Sequence, residues 1–355
     1  MPESGLEKTV LPASDLRRRL LGWYDANARA LDWRVGPAER ALGERPDPYK
    51  VWLSEIMLQQ TTVPHAAPSF RDFTRRWPTV GDLAAAADAE VMAAWAGLGY
   101  YARARNLLAC ARAVAHRLGG VFPDTEAGLS ALPGVGAYTA AAVAAIAFDR
   151  PANVVDGNVE RVMARLHAVK TPLPAAKPAL KALAGDLVGH ERPGDWAQAL
   201  MDLGATVCRP KATLCDRCPL APACAALAEG TPQTYPLKTS KAERPHRHGL
   251  AYVLTRGDAV GLVRRPDKGL LGGMLALPSS DWGPRPATLA GAPAQAAWRP
   301  AGRIEHVFTH FSLTLEVMSA EGPAPDLIWT PFDEAARALP SVFLKALRQG
   351  LNGLL

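Results

Sequence analysis

Leu132-Pro133-Gly134-Val135-Gly136 is the stretch that decides the fold of the longer part of this 355-residue chain, and a run of small residues from Ala137 follows it. Two glycines so close together let the backbone turn sharply and approach another chain. The small residues predict a helix, and the turn exposes backbone N–H groups at its start, where partial positive charge favours a phosphate. Taken alone, the same pattern is also typical of a plain connection between two helices.

The sequence on both sides of this turn is rich in Ala and Leu and predicts a succession of helices. One helix is expected to begin near Asp47-Pro48, because Asp can cap a helix and Pro suits its first position, and Pro64 limits it. Its apolar positions recur with helical period, at Trp52, Leu53, Ile56 and Met57. Further helices separated by Gly or Pro are predicted at residues 83–95, 102–118, 139–148, 158–169, 178–188 and 196–203. The fold class is therefore mainly α as far as residue 228.

Four of the five cysteines lie within 17 residues, and this crowding favours one inorganic centre. Disulfides are rare in the cytoplasm, where crowded cysteines more often bind a metal or a cluster. Iron–sulfur clusters and structural zinc both accept four cysteines, although zinc sites usually combine two close pairs separated by a longer span. The four candidate ligands are Cys208, Cys215, Cys218 and Cys224. The fifth cysteine, Cys110 in an Ala-rich helix, is expected to be a small buried hydrophobe.

The composition and the hydrophobic pattern of the sequence change after Cys224. Residues 229–247 carry three prolines among polar side chains, a composition that predicts an extended linker. Short alternating runs then predict strands at residues 250–255, 260–264, 303–308 and 311–318, and helices are predicted at 332–339 and 342–351. The C-terminal part, residues 248–355, is therefore expected to be a small α+β domain.

Composition and charge favour a globular protein with a polyanionic partner. Lys and Arg outnumber Asp and Glu by 40 to 34, and a basic surface raises encounter rates with phosphates. No apolar run reaches the length of a membrane span, so no membrane association is expected. Residues 1–20 include Glu3, Glu7 and Asp15 and lack the apolar core of a secretion signal, which predicts a cytoplasmic protein, nucleoid-associated if the source is bacterial.

Two carboxylates are candidate catalytic groups. Glu55 lies among apolar neighbours in the first predicted helix, where an acid is costly unless it is exposed or used. Asp156 precedes the helix predicted at residues 158–169, a position that is also typical of an N-cap. The residue pattern alone favours a solvated acid for the first and a helix cap for the second.

Four stretches of the first 228 residues together resemble the MutY family of adenine DNA glycosylases, which is related to endonuclease III. They are residues 49–61, 97–106, 155–159 and 201–204, in the family's order. The resemblance implies a helix–hairpin–helix glycosylase fold, with a six-helix domain at about residues 48–150 and a cluster domain formed by residues 1–47 and 151–228. The spacing of the four cysteines is similar to the family's cluster loop, so a [4Fe–4S] cluster is the expected cofactor.

The resemblance also implies that Glu55 is the catalytic acid and Asp156 its charged partner. Adenine leaves far more easily once its ring is protonated, and a carboxylic acid in a dry pocket has the raised pKa that delivers this proton. A nearby carboxylate then stabilises the oxocarbenium-like sugar. Asn158, in the same matching stretch as Asp156, is expected to belong to the catalytic group. Tyr138 stands where strand-cleaving relatives place a lysine, so we expect an enzyme that leaves an abasic site.

The target base must leave the duplex stack to be reached, and further residues match family positions that serve this step. Gln59 and Tyr100 match positions that wedge into the duplex beside the flipped nucleotide. Gln198 and Arg34 match positions near the adenine pocket. The turn at residues 132–136 is similar to the hairpin that holds the DNA backbone without reading its sequence.

Residues 269–274 and the strands around them resemble the Nudix-like C-terminal domain of MutY enzymes. The acidic Nudix motif that binds Mg²⁺ is absent, so nucleotide hydrolysis is not expected. Phe308, Thr309 and His310 are similar to the family's loop that contacts 8-oxoguanine, with Thr309 where many bacterial relatives have Ser. The expected partner is double-stranded DNA with adenine opposite 8-oxoguanine or guanine, bound by a monomer.

Two other functions remain open at this stage. An endonuclease III-like glycosylase/lyase for oxidised pyrimidines is disfavoured by Tyr138 and by the C-terminal domain. A catalytically silent protein that binds DNA or senses redox state through its cluster is disfavoured by the presence of both Glu55 and Asp156.

Overall fold

The first part of the chain is a helical unit. The computed structural model describes residues 11–239, 244–266, 269–286, 288–289 and 291–352. The chain forms two compact units, Met1–Thr239 and Ser240–Leu355. The helices of the first unit are α1 (Ala13–Asn27), α2 (Pro37–Ala41), α3 (Pro48–Met57), α4 (Val63–Arg76), α5 (Val80–Ala85), α6 (Asp88–Ala94), α7 (Ala102–Arg117), α8 (Glu126–Ser130), α9 (Ala137–Phe148), α10 (Gly157–Leu166), α11 (Lys177–Gly185), α12 (Pro193–Thr206) and α13 (Ala225–Ala228). The mainly α fold predicted for this part is confirmed. Within the described ranges, none of the helices combines the length and apolar character needed to cross a membrane.

Helix α9 is the centre of the first unit because its side chains are small. Every residue from Thr139 to Ala147 is buried, and α9 packs against α3, α8 and α12. Small side chains let neighbouring helix axes approach closely. Helix α8, the glycine turn and α9 form the predicted helix–hairpin–helix, so the start of α9 lies beside the helices that carry the candidate catalytic groups.

A local sequence signal explains where α3 begins, whereas contacts with a distant residue explain the break between α5 and α6. Asp47 caps α3 by accepting a hydrogen bond from the Tyr49 N–H at 2.9 Å, as predicted. Pro64, however, lies in the first turn of α4 instead of limiting α3. The single helix predicted at residues 83–95 is wrong, because α5 ends at Ala85 and α6 begins at Asp88. The Arg112 guanidinium donates to the carbonyls of residues 84 and 86 and to the carboxylate of residue 88, which stabilises the break.

The C-terminal unit is a mixed sheet with two helices, as predicted. Its elements are β1 (His246–Arg256), β2 (Ala259–Arg264), β3 (Leu275–Ala276), β4 (Arg299–Val307), β5 (Ser312–Glu321), β6 (Ile328–Pro331), α14 (Phe332–Ala338) and α15 (Ser341–Asn352). The strand order is β3-β2-β1-β5-β4, with β6 beside β2, and β1 runs parallel to β5. Alternate residues of β5, Leu313, Leu315 and Val317, are fully buried. They belong to the same core as Phe343 of α15, which packs on β1, β4 and β5.

The linker predicted at residues 229–247 is shorter in the structure. Tyr235 is buried in the core of the first unit, its hydroxyl donates to the Glu229 carboxylate at 2.8 Å, and its carbonyl accepts from the Arg165 guanidinium at 3.0 Å. Residues 229–239 therefore belong to the first unit, and the last two residues of the predicted linker already lie in β1. A Pro-rich composition predicted an extended backbone but contained no signal for these long-range contacts. Residues 240–243 lie outside the described part of the chain.

Candidate active site

A cavity of about 540 Å³ in the first unit brings the candidate catalytic residues together. Its lining comes mainly from α3 and the turn after it, α9, the start of α10, α12 and the segment that follows α1. The predicted site residues in this lining are Arg34, Glu55, Gln59, Tyr138, Asp156, Asn158 and Gln198. The cavity has the size of a typical small-ligand site, so it can enclose a single nucleobase.

Glu55 is buried in this cavity, with only 7% of its surface exposed. The Tyr138 hydroxyl donates a hydrogen bond to Glu55 Oε2 at 3.0 Å. The pKa of the Glu55 carboxyl is raised from 4.5 to about 7, and burial is the largest cause. Within this net shift the negative charge of Asp156 also raises the pKa, while the hydrogen bond from Tyr138 and the charge of Arg34 lower it. Because burial outweighs the opposing effects, Glu55 retains a proton close to neutral pH and can donate it.

Asp156 is both a helix cap and a wall of the cavity. Its Oδ1 accepts hydrogen bonds from the backbone N–H groups of Asn158 and Val159, both at 2.8 Å, at the start of α10. Its Oδ2 accepts a third from the Asn158 side-chain amide at 2.8 Å. These three N–H donors fix the orientation of the carboxylate. The two carboxyl groups therefore differ: one is buried and protonable, and the other is held by N–H donors.

Gln198 and Arg34 form the polar part of the cavity wall. Gln198 is 1% exposed, and its side-chain Nε2 is buried without a hydrogen-bond partner, which is costly unless a ligand provides one. Arg34 donates to Asp202 Oδ2 at 2.7 Å, and Arg29 donates to Asp202 Oδ1 at 2.6 Å. Asp202 is fully buried and therefore holds two guanidinium groups beside the cavity.

Glycine occupies the two positions of the hairpin turn for different structural reasons. Gly134 has φ +72°, and a Cβ there would lie 2.5 Å from the Asn106 Cβ, so both conformation and contact require glycine. Gly136 has φ −84° and precedes α9, and a Cβ built there would meet nothing within 4 Å. Gly136 is exposed, so its bare backbone lies open to a molecule approaching the start of α9.

Gln59 and Tyr100, the two predicted wedge residues, lie on turns with unusual backbone conformations. Gln59 precedes Gln60, which has φ +57°, and its side-chain amide donates to Thr139 Oγ1 at 3.4 Å. Tyr100 itself has φ +49°, and its side chain is 57% exposed. Non-glycine residues adopt this conformation at a cost, which makes both turns candidates for function.

The four clustered cysteines face one small cavity, which Arg165 also lines. Arg165 is 2% exposed and donates to Cys208 Sγ at 3.3 Å, to Arg209 O at 2.8 Å and to Pro210 O at 3.2 Å. The segment that carries the cysteines, residues 208–224, is called the cysteine loop below. In the described residues, no three His, Cys, Asp or Glu side chains are arranged to hold a single metal ion. The basic side chains of Arg209 and Lys211 are exposed, and Cys110 is fully buried as predicted.

A continuous set of hydrogen bonds joins the cysteine loop to the catalytic cavity. Arg161 donates to Cys208 O at 2.8 Å, to Gly204 O at 2.7 Å and to Asn158 Oδ1 at 2.8 Å. Asn158 in turn donates to Asp156. The Asp156 carboxylate is therefore connected to the cysteine loop through Asn158 and Arg161.

The candidate lesion-reading residues form a tight turn between β4 and β5. The Phe308 N–H donates to Phe311 O at 2.9 Å, which leaves Thr309 and His310 exposed at the tip. The Phe308 ring stacks on Trp282, with centroids 5.8 Å apart and planes at 29°, and packs edgewise against His306 at 4.6 Å. The turn is thus supported from behind by aromatic rings while its two polar residues remain accessible.

Several residues of the site were not identified from the sequence. They are four charged residues inside helices or beside them, and each has at least one partner far away in the chain: Arg29, Arg161, Arg165 and Asp202. The spacing of Asn158, Arg161 and Arg165 on one face of a helix was the available signal, because side chains three and four positions apart are neighbours. Asp202, between Met201 and Leu203, offered a weaker signal as an acid within an apolar stretch.

Comparison with known proteins agrees with the fold of both units. Residues 53–184 match the HhH-GPD superfamily of base excision DNA repair proteins, and residues 249–349 match the NUDIX domain. A solved thermostable thymine-DNA glycosylase shares 29% identity and a TM-score of 0.53, covering 61% of this chain and 97% of its own. An endonuclease III–DNA complex has 22% identity and a TM-score of 0.50, with 62% and 98% covered, and shows the same fold.

The fold and the site together define a DNA N-glycosylase of base excision repair, built on the helix–hairpin–helix fold. Two curated relatives narrow this class. The adenine DNA glycosylase of Homo sapiens is 37% identical over 90% of this chain and 70% of its own length, and that of Mycobacterium tuberculosis is 38% identical over 69% and 77%. The chain belongs to the adenine DNA glycosylase family.

Proposed function

We propose that this enzyme excises adenine from duplex DNA in which the adenine lies opposite 8-oxoguanine or guanine, and that it leaves an abasic site. The observation that carries this proposal is the buried Glu55, whose pKa is raised to about 7 by burial, in one cavity with the Asp156 carboxylate. A proton donor and an anion are the two groups that cleavage of an N-glycosidic bond to a purine needs.

In the proposed reaction, Glu55 transfers its proton to the ring of the flipped adenine, and the bond between the base and the sugar then breaks, releasing neutral adenine. A water molecule adds to the sugar carbon and gives a proton to the Glu55 carboxylate, so that the products are adenine and an abasic site. Asp156 stabilises the positive charge that develops on the sugar, since its own negative charge is held in place by three N–H donors. Tyr138 orients Glu55. The unpaired amide of Gln198 bonds to the polar edge of the adenine, and Arg34 completes that side of the pocket.

The DNA is held and opened by residues around the cavity. The bare backbone at Gly134 and Gly136, with the start of α9, binds a phosphate of the strand that carries the adenine. Gln59 and Tyr100 fill the space that the base leaves when it rotates out of the stack. The exposure of Tyr100 supports this assignment.

Strand cleavage is not part of the proposed activity. A lyase needs an amine that attacks the sugar, and no lysine is among the described residues that line the cavity. Tyr138 stands at the position after the hairpin, and its hydroxyl is engaged with Glu55. We therefore expect hydrolysis to end at an abasic site.

The C-terminal unit is proposed to read the damaged base. Adenine is a normal base, so the cavity that binds it does not distinguish a lesion. The turn at Phe308, Thr309 and His310 offers a hydroxyl and an imidazole on an exposed tip, and these can bond to 8-oxoguanine on the opposite strand. The aromatic support of Phe308 keeps this tip in a defined position.

The cysteine loop is proposed to hold a [4Fe–4S] cluster through Cys208, Cys215, Cys218 and Cys224. The four cysteines line one small cavity, which supports a single inorganic group held by all four. Zinc sites usually combine two close pairs separated by a longer span, and the single short loop of residues 208–224 differs from that pattern. The four thiolates would hold the cluster, which would tie the loop together, and the exposed Arg209 and Lys211 lie on the same loop. Purified enzyme should contain iron and acid-labile sulfide in equal amounts, and an active preparation that holds zinc alone would contradict the assignment.

The remaining proposals concern the subdomains of the first unit, the oligomeric state of the enzyme and its location in the cell. A six-helix domain at about residues 48–150 and a cluster domain from residues 1–47 and 151–228 are proposed as subdivisions of the first unit. The enzyme is proposed to act as a monomer in the cytoplasm, nucleoid-associated if the source is bacterial, because free thiols that bind a cluster require a reducing compartment.

The decisive experiment compares four duplexes: adenine opposite 8-oxoguanine, adenine opposite guanine, adenine opposite thymine, and one with thymine glycol. We expect breaks in the first two only, and only after alkali treatment. Glu55→Gln should abolish these breaks while duplex binding remains, and Glu90→Gln, which changes an exposed acid, should leave them unchanged. Breaks without alkali, or a covalent adduct trapped by borohydride, would show a lyase instead.

A further inference from the structure

The N-terminal end of α7 supports both turns that carry the proposed wedge residues. Arg103, in the first turn of α7, is half-buried, and its terminal nitrogens contact five backbone carbonyls. The NH1 nitrogen donates to Ile56 O at 2.9 Å, to Met57 O at 3.3 Å and to Gln59 O at 2.8 Å. These three carbonyls belong to the end of α3 and the turn that follows it.

The other terminal nitrogen of Arg103 contacts the second turn. It donates to Leu98 O at 2.8 Å and to Gly99 O at 3.2 Å, and the guanidinium lies 5.7 Å from the ring centroid of Tyr100. The indole of Trp95 donates to the same Gly99 carbonyl at 3.0 Å, and its ring centroid lies 5.2 Å from the guanidinium. One side chain therefore joins the Gln59 turn to the Tyr100 turn.

Both turns need an external support of this kind. Gln60 and Tyr100 have positive φ angles, and a non-glycine residue keeps such a conformation only when its surroundings hold it there. Neither turn is part of a helix or a strand, and each contains only short-range backbone hydrogen bonds. The Thr61 N–H donates to Leu58 O at 3.4 Å in the first turn, and the backbone N–H of Arg103 donates to Tyr100 O at 2.8 Å in the second. These bonds do not connect the two turns. The hydrogen bonds from Arg103 provide that support for both turns at once.

The same end of α7 also supports the hairpin. Asn106 lies one helical turn after Arg103 and is in close contact with Gly134. A small cavity of about 60 Å³ is lined by Gln59, Arg103, Asn106 and Gly134 together. The N-terminal end of α7 thus contacts both the residues proposed to open the duplex and those proposed to hold its backbone.

We propose that Arg103 is a positioning residue that fixes the Gln59 and Tyr100 turns relative to each other, so that opening of the duplex at the target adenine depends on it. This inference rests on the proposed wedge function of Gln59 and Tyr100. Lysine cannot take over the role, because a compact ammonium with three donors does not span two turns as a planar guanidinium does.

The test uses Arg103→Lys in the full-length enzyme and two substrates. In the first, the target adenine is paired within a duplex, and in the second it lies in an unpaired bubble, so that the cost of opening is already met. Single-turnover excision from the paired substrate should fall roughly tenfold or more, and excision from the bubble should change less than about threefold. The ratio of the two rates within one preparation is independent of the folded fraction. Arg117→Lys, an exposed change at the other end of α7, is the matched control and should leave the ratio unchanged.

Two outcomes would overturn the inference. The first would also overturn the wedge assignment of Gln59 and Tyr100, and the second would leave that assignment intact. If Gln59→Ala and Tyr100→Ala both retain the full rate on the paired duplex, the wedge assignment fails and the inference fails with it. If those two variants are slow on the paired duplex and recover on the bubble, the wedge assignment stands. In that case, an Arg103→Lys enzyme that slows both substrates equally, or neither, shows that Arg103 has no positioning role.

Discussion

Replacing Glu55 with glutamine should inactivate the enzyme and stabilise its fold, because the same burial that makes the acid useful makes it costly. The Glu55 carboxyl has its pKa raised from 4.5 to about 7, chiefly by burial. Between these two pH values the unfolded chain has lost the proton while the folded chain keeps it. The stability of the folded state therefore falls as pH rises through this window and stays low above it.

The magnitude follows from the pKa change. At about 1.4 kcal/mol for each pH unit, a rise from 4.5 to about 7 corresponds to about 3 kcal/mol of destabilisation above neutral pH. Glutamine is uncharged at every pH and still accepts the hydrogen bond from Tyr138. The stability advantage of Glu55→Gln over the unchanged enzyme should grow by about 2 kcal/mol between about pH 5.5 and pH 8. For a unit of this size, that is a difference of about 4 to 8 °C in Tm.

The assay is thermal unfolding of the full-length protein across this pH range, followed beside single-turnover excision. Glu90→Gln, an exposed change, should shift Tm equally at all pH values and leave excision intact. In the unchanged enzyme, excision should decline as pH rises through about 7, since the acid must be protonated to act. A Glu55→Gln protein that is less stable at pH 8, or whose advantage does not vary with pH, would refute the argument that burial determines the acid's pKa.

Four further predictions concern the hydrogen bonds around the catalytic carboxylates and the glycines of the hairpin. Tyr138→Phe removes a hydrogen bond that lowers the pKa of Glu55, so the decline of excision at high pH should move to higher pH, and an unchanged pH profile would argue against this contact. Arg161→Met removes the hydrogen bonds between α10 and the cysteine loop, so the excision rate should fall at least tenfold while the iron content stays unchanged. A loss of iron in proportion to the loss of activity would show that Arg161 serves only the cluster. Gly134→Ala should lower stability by about 1 to 2 kcal/mol and weaken DNA binding, because its φ is +72°. Gly136→Ala should weaken DNA binding with little change in Tm, and equal losses of Tm in both glycine variants would contradict the assignment.

Features that depend on neighbouring residues were predictable here. The cap and proline at the start of α3, the glycine turn before α9 and the apolar alternation that predicts β5 each involve a few consecutive positions, and the structure confirms the helices and the strand. The break between α5 and α6 was not predictable, because an Ala-rich segment without Gly or Pro favours a continuous helix. Arg112 of α7, more than twenty positions away, supplies the hydrogen bonds that stabilise the break.

The glycine hairpin and the four clustered cysteines could be identified from the amino-acid sequence alone, since each is a set of residue types at short spacing. The two carboxylates were identified only through the family resemblance of the stretches that carry them. The sequence did not show that Glu55 is protonable near neutral pH, because desolvation depends on how completely α9, α10 and α12 enclose the acid. Nor did it show the arginines that organise the site: Arg29 meets Asp202 across 173 positions, and Arg103 reaches back 47 positions to the end of α3. Such contacts form only when distant helices pack, because a charged side chain buried by packing must find its partner wherever the fold places one.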